Sequence, residues 1–340
     1  MRRRLSLLAL VAVPFITLTG CASGSNERAS AGGNTEFVKK DPLVIGYSVY
    51  DLQNPYWQAW AAGVEAAAQE NGATLVTADQ KSSQKEQVSG SLDLINQGIS
   101  ALIITPVQPS ALPATIDAAH AAQIPIVIGD IGTAGDYDAY VLSNNYKGGE
   151  QAAQYLIDQA GSSTDTKKVG VIELHAGSVV GEERVQGFKE TLSKDSRFEV
   201  VATLSGEDTV DGGYAAAQDM LSANSDLDII YAANDSSAVG AQRALETAGK
   251  SVANGFTLVG FDGNDDALGL IENGLMSATV AQDPYGQGAA AVKAALALLN
   301  GEDPGFSDAA AKTVYFPVEV VTQESVVDFK AGRANRLPQG

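Results

Sequence analysis

Cysteine is almost absent from this sequence: Cys21 stands alone in 340 residues, so no internal disulfide can form and no thiolate mechanism or zinc–cysteine cluster can be built. Histidine is nearly as scarce. His120 falls in an Ala-rich helical pattern and reads as structural, whereas His175 follows a strand-like run; neither has metal-ligand spacing. Basic side chains are a minority, 22 against 41 acidic, and a formal charge of −19 repels nucleic acid and anionic lipid surfaces. No apolar run reaches the ~20 residues of a spanning helix. The chain has neither a Walker A loop nor a G-x-G-x-x-G fingerprint, which leaves nucleotide binding without support. Asp262, Asn264 and Asp266 alternate like the start of a calcium loop, but Ala267 stands where Gly is required and Asn273 where Glu is, so the run reads as a helix entrance. The expectation is a protein with no cofactor, no metal and no nucleic-acid partner.

What is present begins with Arg2, Arg3 and Arg4, an apolar run from Leu5 to Leu18, and the small residues Thr19 and Gly20 before Cys21. That order is an export signal. Losing residues 1–20, which hold three arginines and no acid, leaves 19 basic against 41 acidic side chains and a formal −22. Leu18-Thr19-Gly20-Cys21 also resembles a bacterial lipobox. The resemblance implies acylation of Cys21, cleavage just before it, and a place on the extracytoplasmic face of the cell membrane, held there by the lipid alone. Ala22 to Lys40 is rich in Ser, Gly, Asn and Ala and too polar to build a core, so residues 21–40 read as a flexible tether.

From Asp41 onward, short aliphatic runs alternate with Ala-rich amphipathic segments. Strand-like runs occur at Leu43–Tyr50, Thr74–Ala78, Ala101–Thr105 and Ile124–Gly129, and again at Val169–Leu174, Val200–Leu204, Ile229–Ala232 and Thr257–Phe261. Between them Asn54–Asn71, Gln84–Gln97, Pro109–Ala122, Lys147–Ala160, Gly181–Ser193, Gly213–Ala223, Ser236–Ala248 and Pro284–Leu299 carry helical spacing. Such alternation gives parallel sheets covered by helices on both faces, an α/β fold. A Gly- and Asp-rich loop at 132–138 and the strand-like Tyr140–Asn145 separate two similar series, and Ser277–Asp283 and Thr313–Val321 are strands left over. The expected division is therefore 41–143 plus 284–316 for one lobe and 144–283 plus 317–340 for the other.

Six short motifs fall at βα junctions in order: Asn54-Pro55-Tyr56-Trp57, Gly129-Asp130, Glu183-Arg184-Val185-Gln186-Gly187-Phe188, Ala233-Asn234-Asp235, Val259-Gly260-Phe261-Asp262-Gly263 and Thr279-Val280-Ala281-Gln282. Together they resemble the ribose-binding branch of the type I periplasmic binding proteins over roughly Leu43 to Val321. The resemblance implies two Rossmann-like lobes joined by three crossovers, a ligand in the cleft between them, and delivery to the permease of an ABC importer by a monomeric binding protein that is not an enzyme.

A sugar hydroxyl both donates and accepts, so its site needs carboxylates, a fixed guanidinium and amides. Asp130, Asp262, Arg184, Asn234 and Gln282 supply that set, and by resemblance they contact ligand; Asn54, Tyr56 and Trp57 add a polar group and aromatic faces for the C–H side of the ring. Asp235 reads as the helix cap after Asn234, and Trp60 as core. The match has departures. Ile131 stands where ribose binders carry an arginine, Thr105 where they carry Asn, and Asp208 where they carry a cleft aromatic, so a cation and a stacking surface are missing. Another pentose, a hexose or a polyol then fits as well as ribose. Three other readings share the fold or the residues: a sugar-responsive repressor, which lacks its basic DNA-binding segment here; an enzyme using Asp130 and Asp262 as a pair; and a sensory receptor for a sugar or signal furanose.

Overall fold

The computed structural model describes residues 37–335, so the export-signal segment, Cys21 and the tether up to residue 36 lie outside the described residues. The last tether residues are not free. Phe37 packs on the first lobe's core, Lys39 Nζ donates to Asn300 Oδ1 at 3.0 Å, and Lys40 Nζ donates to the Ile99 carbonyl at 2.8 Å. An aromatic ring with apolar surface to cover ends the polar stretch before Lys40.

Along the first lobe run β1 (Val44–Val49), α1 (Pro55–Glu70), β2 (Thr74–Asp79), α2 (Gln84–Asn96), β3 (Ala101–Ile104), α3 (Pro113–Ala121), β4 (Ile126–Gly129) and β5 (Ala139–Ser143). The second holds α4 (Asn145–Ala160), β6 (Lys167–Glu173), α5 (Val179–Leu192), β7 (Phe198–Ser205), α6 (Val210–Ala223), β8 (Ile229–Ala232), α7 (Asp235–Thr247), β9 (Thr257–Asp262), α8 (Asp265–Glu272) and β10 (Ala278–Ala281). The chain then returns through α9 (Pro284–Asn300) and β11 (Thr313–Phe316) to the first lobe, and ends in the second with β12 (Glu319–Thr322) and α10 (Val326–Ala334).

Each lobe is a six-stranded sheet, ordered β11-β5-β4-β3-β1-β2 and β12-β10-β9-β8-β6-β7. All pairs are parallel except β10 with β12. Central strands such as Ala101–Ile104 and Ile126–Ile128 are wholly buried, because helices cover both faces, and this explains why they carry no polar alternation. Two apolar clusters flank each sheet.

Prolines account for the two segments that sequence periodicity ran together. Pro113 cannot donate into the helix expected over Pro109–Ala122, which divides into a short 3₁₀ turn at Pro109–Ala111 and α3. Pro317 divides the expected strand Thr313–Val321 into β11 and β12, whose halves pair in different sheets. The lobes are therefore joined at β5 to α4, β10 to α9, and β11 to β12. The first and third of these connections lie side by side, with Asn144 N donating to the Phe316 carbonyl at 2.9 Å.

Glycines set how closely the helices that carry the site approach their partners. A Cβ on Gly63 of α1 would lie 1.9 Å from the Tyr285 carbonyl oxygen of α9, and one on Gly288 of α9 would lie 2.2 Å from that of Trp60. The same reciprocal contact joins α4 and α5, where a Cβ on Gly149 would meet the Arg184 oxygen at 2.0 Å and one on Gly187 that of Tyr146 at 2.1 Å. Backbone cannot yield as a side chain can. Gly149→Ala is expected to destabilise the protein by ~1–3 kcal/mol through overpacking, read as a lowered thermal midpoint. Gly269→Ala in α8, where nothing lies within 4 Å of the added carbon, is expected to leave the midpoint unchanged or slightly raised.

Candidate ligand-binding cleft

The cleft between the lobes is built from strand ends and helix starts. Asn54 caps α1, its Oδ1 accepting from Tyr56 N at 2.9 Å, and Pro55 fills the first helical position, so Tyr56 and Trp57 are presented on the first turn. Trp57 is held between Tyr50, stacked at 5.1 Å, and Tyr56, edge-on at 4.9 Å. Asp130 follows β4 and Asp262 ends β9, both at positive φ, 60° and 127°. Non-glycine residues adopt such backbone at a cost, and the departure concentrates at ligand sites. All eight residues expected in the site, Asn54, Tyr56, Trp57, Asp130, Arg184, Asn234, Asp262 and Gln282, line one cleft of about 680 Å³.

A hydrogen-bonded chain crosses this cleft. Tyr56 OH donates to Asp130 Oδ1 at 2.8 Å and reaches Gln282 Oε1 at 3.3 Å, while Gln287 Nε2 donates to the phenol at 3.3 Å. Gln282 Nε2 donates to Asp262 Oδ1 at 2.8 Å, and Arg184 Nη1 donates to the same oxygen at 3.0 Å. Arg184 is further fixed by the Ala233 carbonyl, by Asn145 Oδ1 at 2.9 Å from Nε, and by the Phe261 ring 3.8 Å beneath the guanidinium carbon.

Burial governs the acids. It pushes Asp130 up to about 6, against the Tyr56 hydrogen bond and the Arg184 charge that pull it down, with Asp262 adding to the rise. Burial also raises Asp262, opposed by Arg184 and Gln282. The Tyr56 phenol is raised by burial and then by neighbouring Asp130. These groups are poised to accept from hydroxyls and to donate one fixed set of hydrogen bonds.

Two roles differ from those expected of the sequence. Asn234, not Asp235, caps α7, its Oδ1 accepting from Ser237 N at 3.0 Å. Asp235 is fully buried, and its carboxylate accepts from Gly263 N, Asn264 N and Thr279 Oγ1, each at 2.8 Å, pinning the turn that carries Asp262. Its pKa rises well above the usual carboxylate range, first through burial and then through Asp262. Tyr50 backs Trp57, and Trp60 is fully buried core, as expected.

Of the three departures, Thr105 is buried and accepts from Tyr50 N at 3.0 Å, Ile131 packs on the first core, and only Asp208 lines the cleft. Asp208 is gripped by His175 through its backbone N at 2.8 Å and Nδ1 at 2.5 Å, so His175 touches the cleft through its partner. Sequence reasoning missed Arg333 of α10, which lines the cleft and donates to the Gly263 carbonyl at 2.7 Å, and Asn145, which holds Arg184. No motif surrounds Arg333; only the fold brings it there.

Residues 45–303 match the family model described as periplasmic binding protein domain. The chain is similar to the ribose import binding protein of Bacillus subtilis, 31% identical over 325 residues that cover 95% of this chain and 100% of that one. It is similar to the D-allose-binding periplasmic protein of Escherichia coli, 29% identical over 252 residues, 71% of this chain and 80% of the relative. Among solved structures, the periplasmic ribose ABC transporter protein of Conexibacter woesei matches with a TM-score of 0.78 at 25% identity, covering 90% of this chain and 99% of that one.

The cap at Asn234 is separable from its place in the cleft. Asn234→Ala is expected to lower the free energy of unfolding by ~1 kcal/mol, whereas Asn234→Ser keeps a capping oxygen and the stability with it; urea titration of the three proteins measures the difference.

Proposed function

The chain belongs to the type I periplasmic binding proteins, in their ribose-binding branch, and from that premise we propose that it is the sugar-binding subunit of an ABC importer, binding a monosaccharide or polyol between its lobes. The observation that carries the reading is the convergence of carboxylates, a guanidinium, amides and aromatic faces from both lobes on one cleft of about 680 Å³, a volume within the range of small-molecule sites. One relative is a ribose import binding protein and another a D-allose-binding periplasmic protein, which supports a binder over an enzyme.

In this reading, Asp130 and Asp262 accept from neighbouring hydroxyls, Arg184 donates to a ring or hydroxyl oxygen, Gln282, Asn234 and Asn54 complete the polar contacts, and Tyr56 and Trp57 cover a C–H face. The lobes are 41–143 with 284–316 and 144–283 with 317–340. Ligand that contacts both favours the closed arrangement, and the permease reads the closed surface. Export and acylation at Cys21 hold the monomer at the extracytoplasmic face of the membrane, with residues after it as tether.

A thermal-shift screen of pentoses, hexoses and polyols tests the function. A true ligand raises the melting temperature in step with its concentration, as mass action requires; a screen in which no carbohydrate shifts it, or in which a sugar is steadily turned over, would count against the binder reading.

Affinity should also depend on pH in one direction. A ligand whose hydroxyls donate to ionised Asp130 must expel the proton that this carboxyl carries below about 6. From pH 7 to pH 5 the dissociation constant is expected to rise by about tenfold, one proton's worth for one unit below the pKa. Isothermal titration of the wild type and of Asp130→Asn checks it, with the dependence flattened in the variant.

A further inference from the structure

The cleft holds more negative charge than its own cations answer. Asp130, Asp208, Asp262, Asp265 and Asp266 line it, against Arg184 and Arg333. Both guanidiniums are already engaged: Arg184 with Asp262 at 3.0 Å, and Arg333 with the Gly263 carbonyl at 2.7 Å and Asp265 at 3.5 Å. Asp208 has His175. Asp266 is exposed to water, which screens it. Asp130 is different.

Its backbone is fixed on both sides, the N–H donating to the Val141 carbonyl and the carbonyl accepting from Tyr140 OH, each at 2.8 Å. Oδ1 accepts from the neutral Tyr56 hydroxyl, whereas Oδ2 meets no donor and neither oxygen meets a cation among the described residues. The next side chain, Ile131, is apolar and turned into the core cluster. A carboxylate largely drawn out of water and held in place, with no cation in contact and the charge of Arg184 acting only from a distance, is costly unless the ligand supplies a partner. Burial has already raised this carboxyl, yet to about 6, so it is ionised at neutral pH.

We propose that the cleft's preferred ligand is a polyhydroxylated compound carrying an ammonium group, an amino sugar or aminocyclitol, whose nitrogen pairs with Asp130. The hydroxyls still answer Asp262, Arg184, Asn234 and Gln282, so the inference rests on the carbohydrate reading above and narrows it. Uronates and sugar phosphates are repelled by the same excess of carboxylates.

Matched trios test it by isothermal titration at pH 7: D-glucose, D-glucosamine and D-glucuronate; D-galactose, D-galactosamine and D-galacturonate; with myo-inositol and a monoamino inositol as a further pair. The amino member is expected to bind at least about tenfold tighter than its hydroxyl counterpart, the equivalent of ~1.4 kcal/mol, and the acid member not at all. Raising the salt concentration should narrow the gap, since an ion pair is screened and a neutral hydrogen bond is not. In Asp130→Asn the preference for the amine should disappear. A neutral sugar that binds as tightly as its amine, or an acid that binds at all, overturns the inference and leaves the sugar-binding reading standing. A preference that survives in Asp130→Asn removes Asp130 as its source, and failure of every compound to bind takes down the inference together with the reading on which it rests.

Discussion

Arg184 cannot leave the wall of the cleft without stranding Asp262, and much of what surrounds the pair keeps the guanidinium in place. The two side chains are 7% and 27% exposed, so each has given up most of its water. A pair in that position gains from its mutual attraction only if the remaining donors and acceptors are satisfied as well. Here the Ala233 carbonyl, Asn145 Oδ1 and the face of Phe261 take the other sides of the guanidinium, and Gln282 takes a share of Asp262. Three of these come from different strand ends or connections of the second lobe. The pair thus ties α5 to β8, β9 and the start of α4, and Asn145 ties it to the first connection between the lobes.

From that point the polar chain runs into the first lobe through a single phenol. Tyr56 has one hydrogen to give and two acceptors in reach, Asp130 at 2.8 Å and Gln282 at 3.3 Å. Asp130 follows β4 of the first lobe, whereas Gln282 sits in the connection from β10 to α9. What Asp130 accepts from elsewhere therefore bears on how strongly the phenol bonds to the connection. Gln287 fixes the phenol from behind and reaches Ser143 Oγ at 3.1 Å, so the first turn of α9 is joined to the end of β5.

How much of this was legible in the sequence depends on whether the signal was local. The alternation of wholly apolar runs with Ala-rich helices gave the two parallel sheets, because buried strands such as Ala101–Ile104 can carry no polar face. The eight cleft residues were legible through the resemblance, and most of them lie at a strand end or helix start, where an α/β sheet presents side chains to ligand; Arg184, the sixth residue of α5, lies beyond the first turn. The cap fell to Asn234 instead of the expected Asp235 because both residue types cap helices, and only the three donors converging on Asp235 distinguish them; Asn234 keeps its expected place in the cleft. The run Thr313–Val321 has one continuous β pattern, and that its two halves belong to different sheets depends on partners far away in the chain. Arg333 was invisible for the same reason: its neighbours in sequence say nothing of Gly263 or Asp265, which it meets only after α10 packs beside α8.

Part of the backbone cost in the described residues falls where these side chains are held. Asp130 and Asp262 accept positive φ directly after or at the end of a strand, conformations a glycine would take more cheaply. Neither could be glycine and still offer a carboxylate. The expense is sustained by rigid surroundings: Val141 and Tyr140 grip the backbone of Asp130, while buried Asp235 holds the two amides that follow Asp262. Close helix pairs do the same at longer range, since α1 can present Tyr56 only where Gly63 and Gly288 let α9 approach, and α5 can present Arg184 only where Gly149 and Gly187 admit α4. A side chain added at those glycines would act on the cleft through the helix axis, without touching any group that faces the ligand.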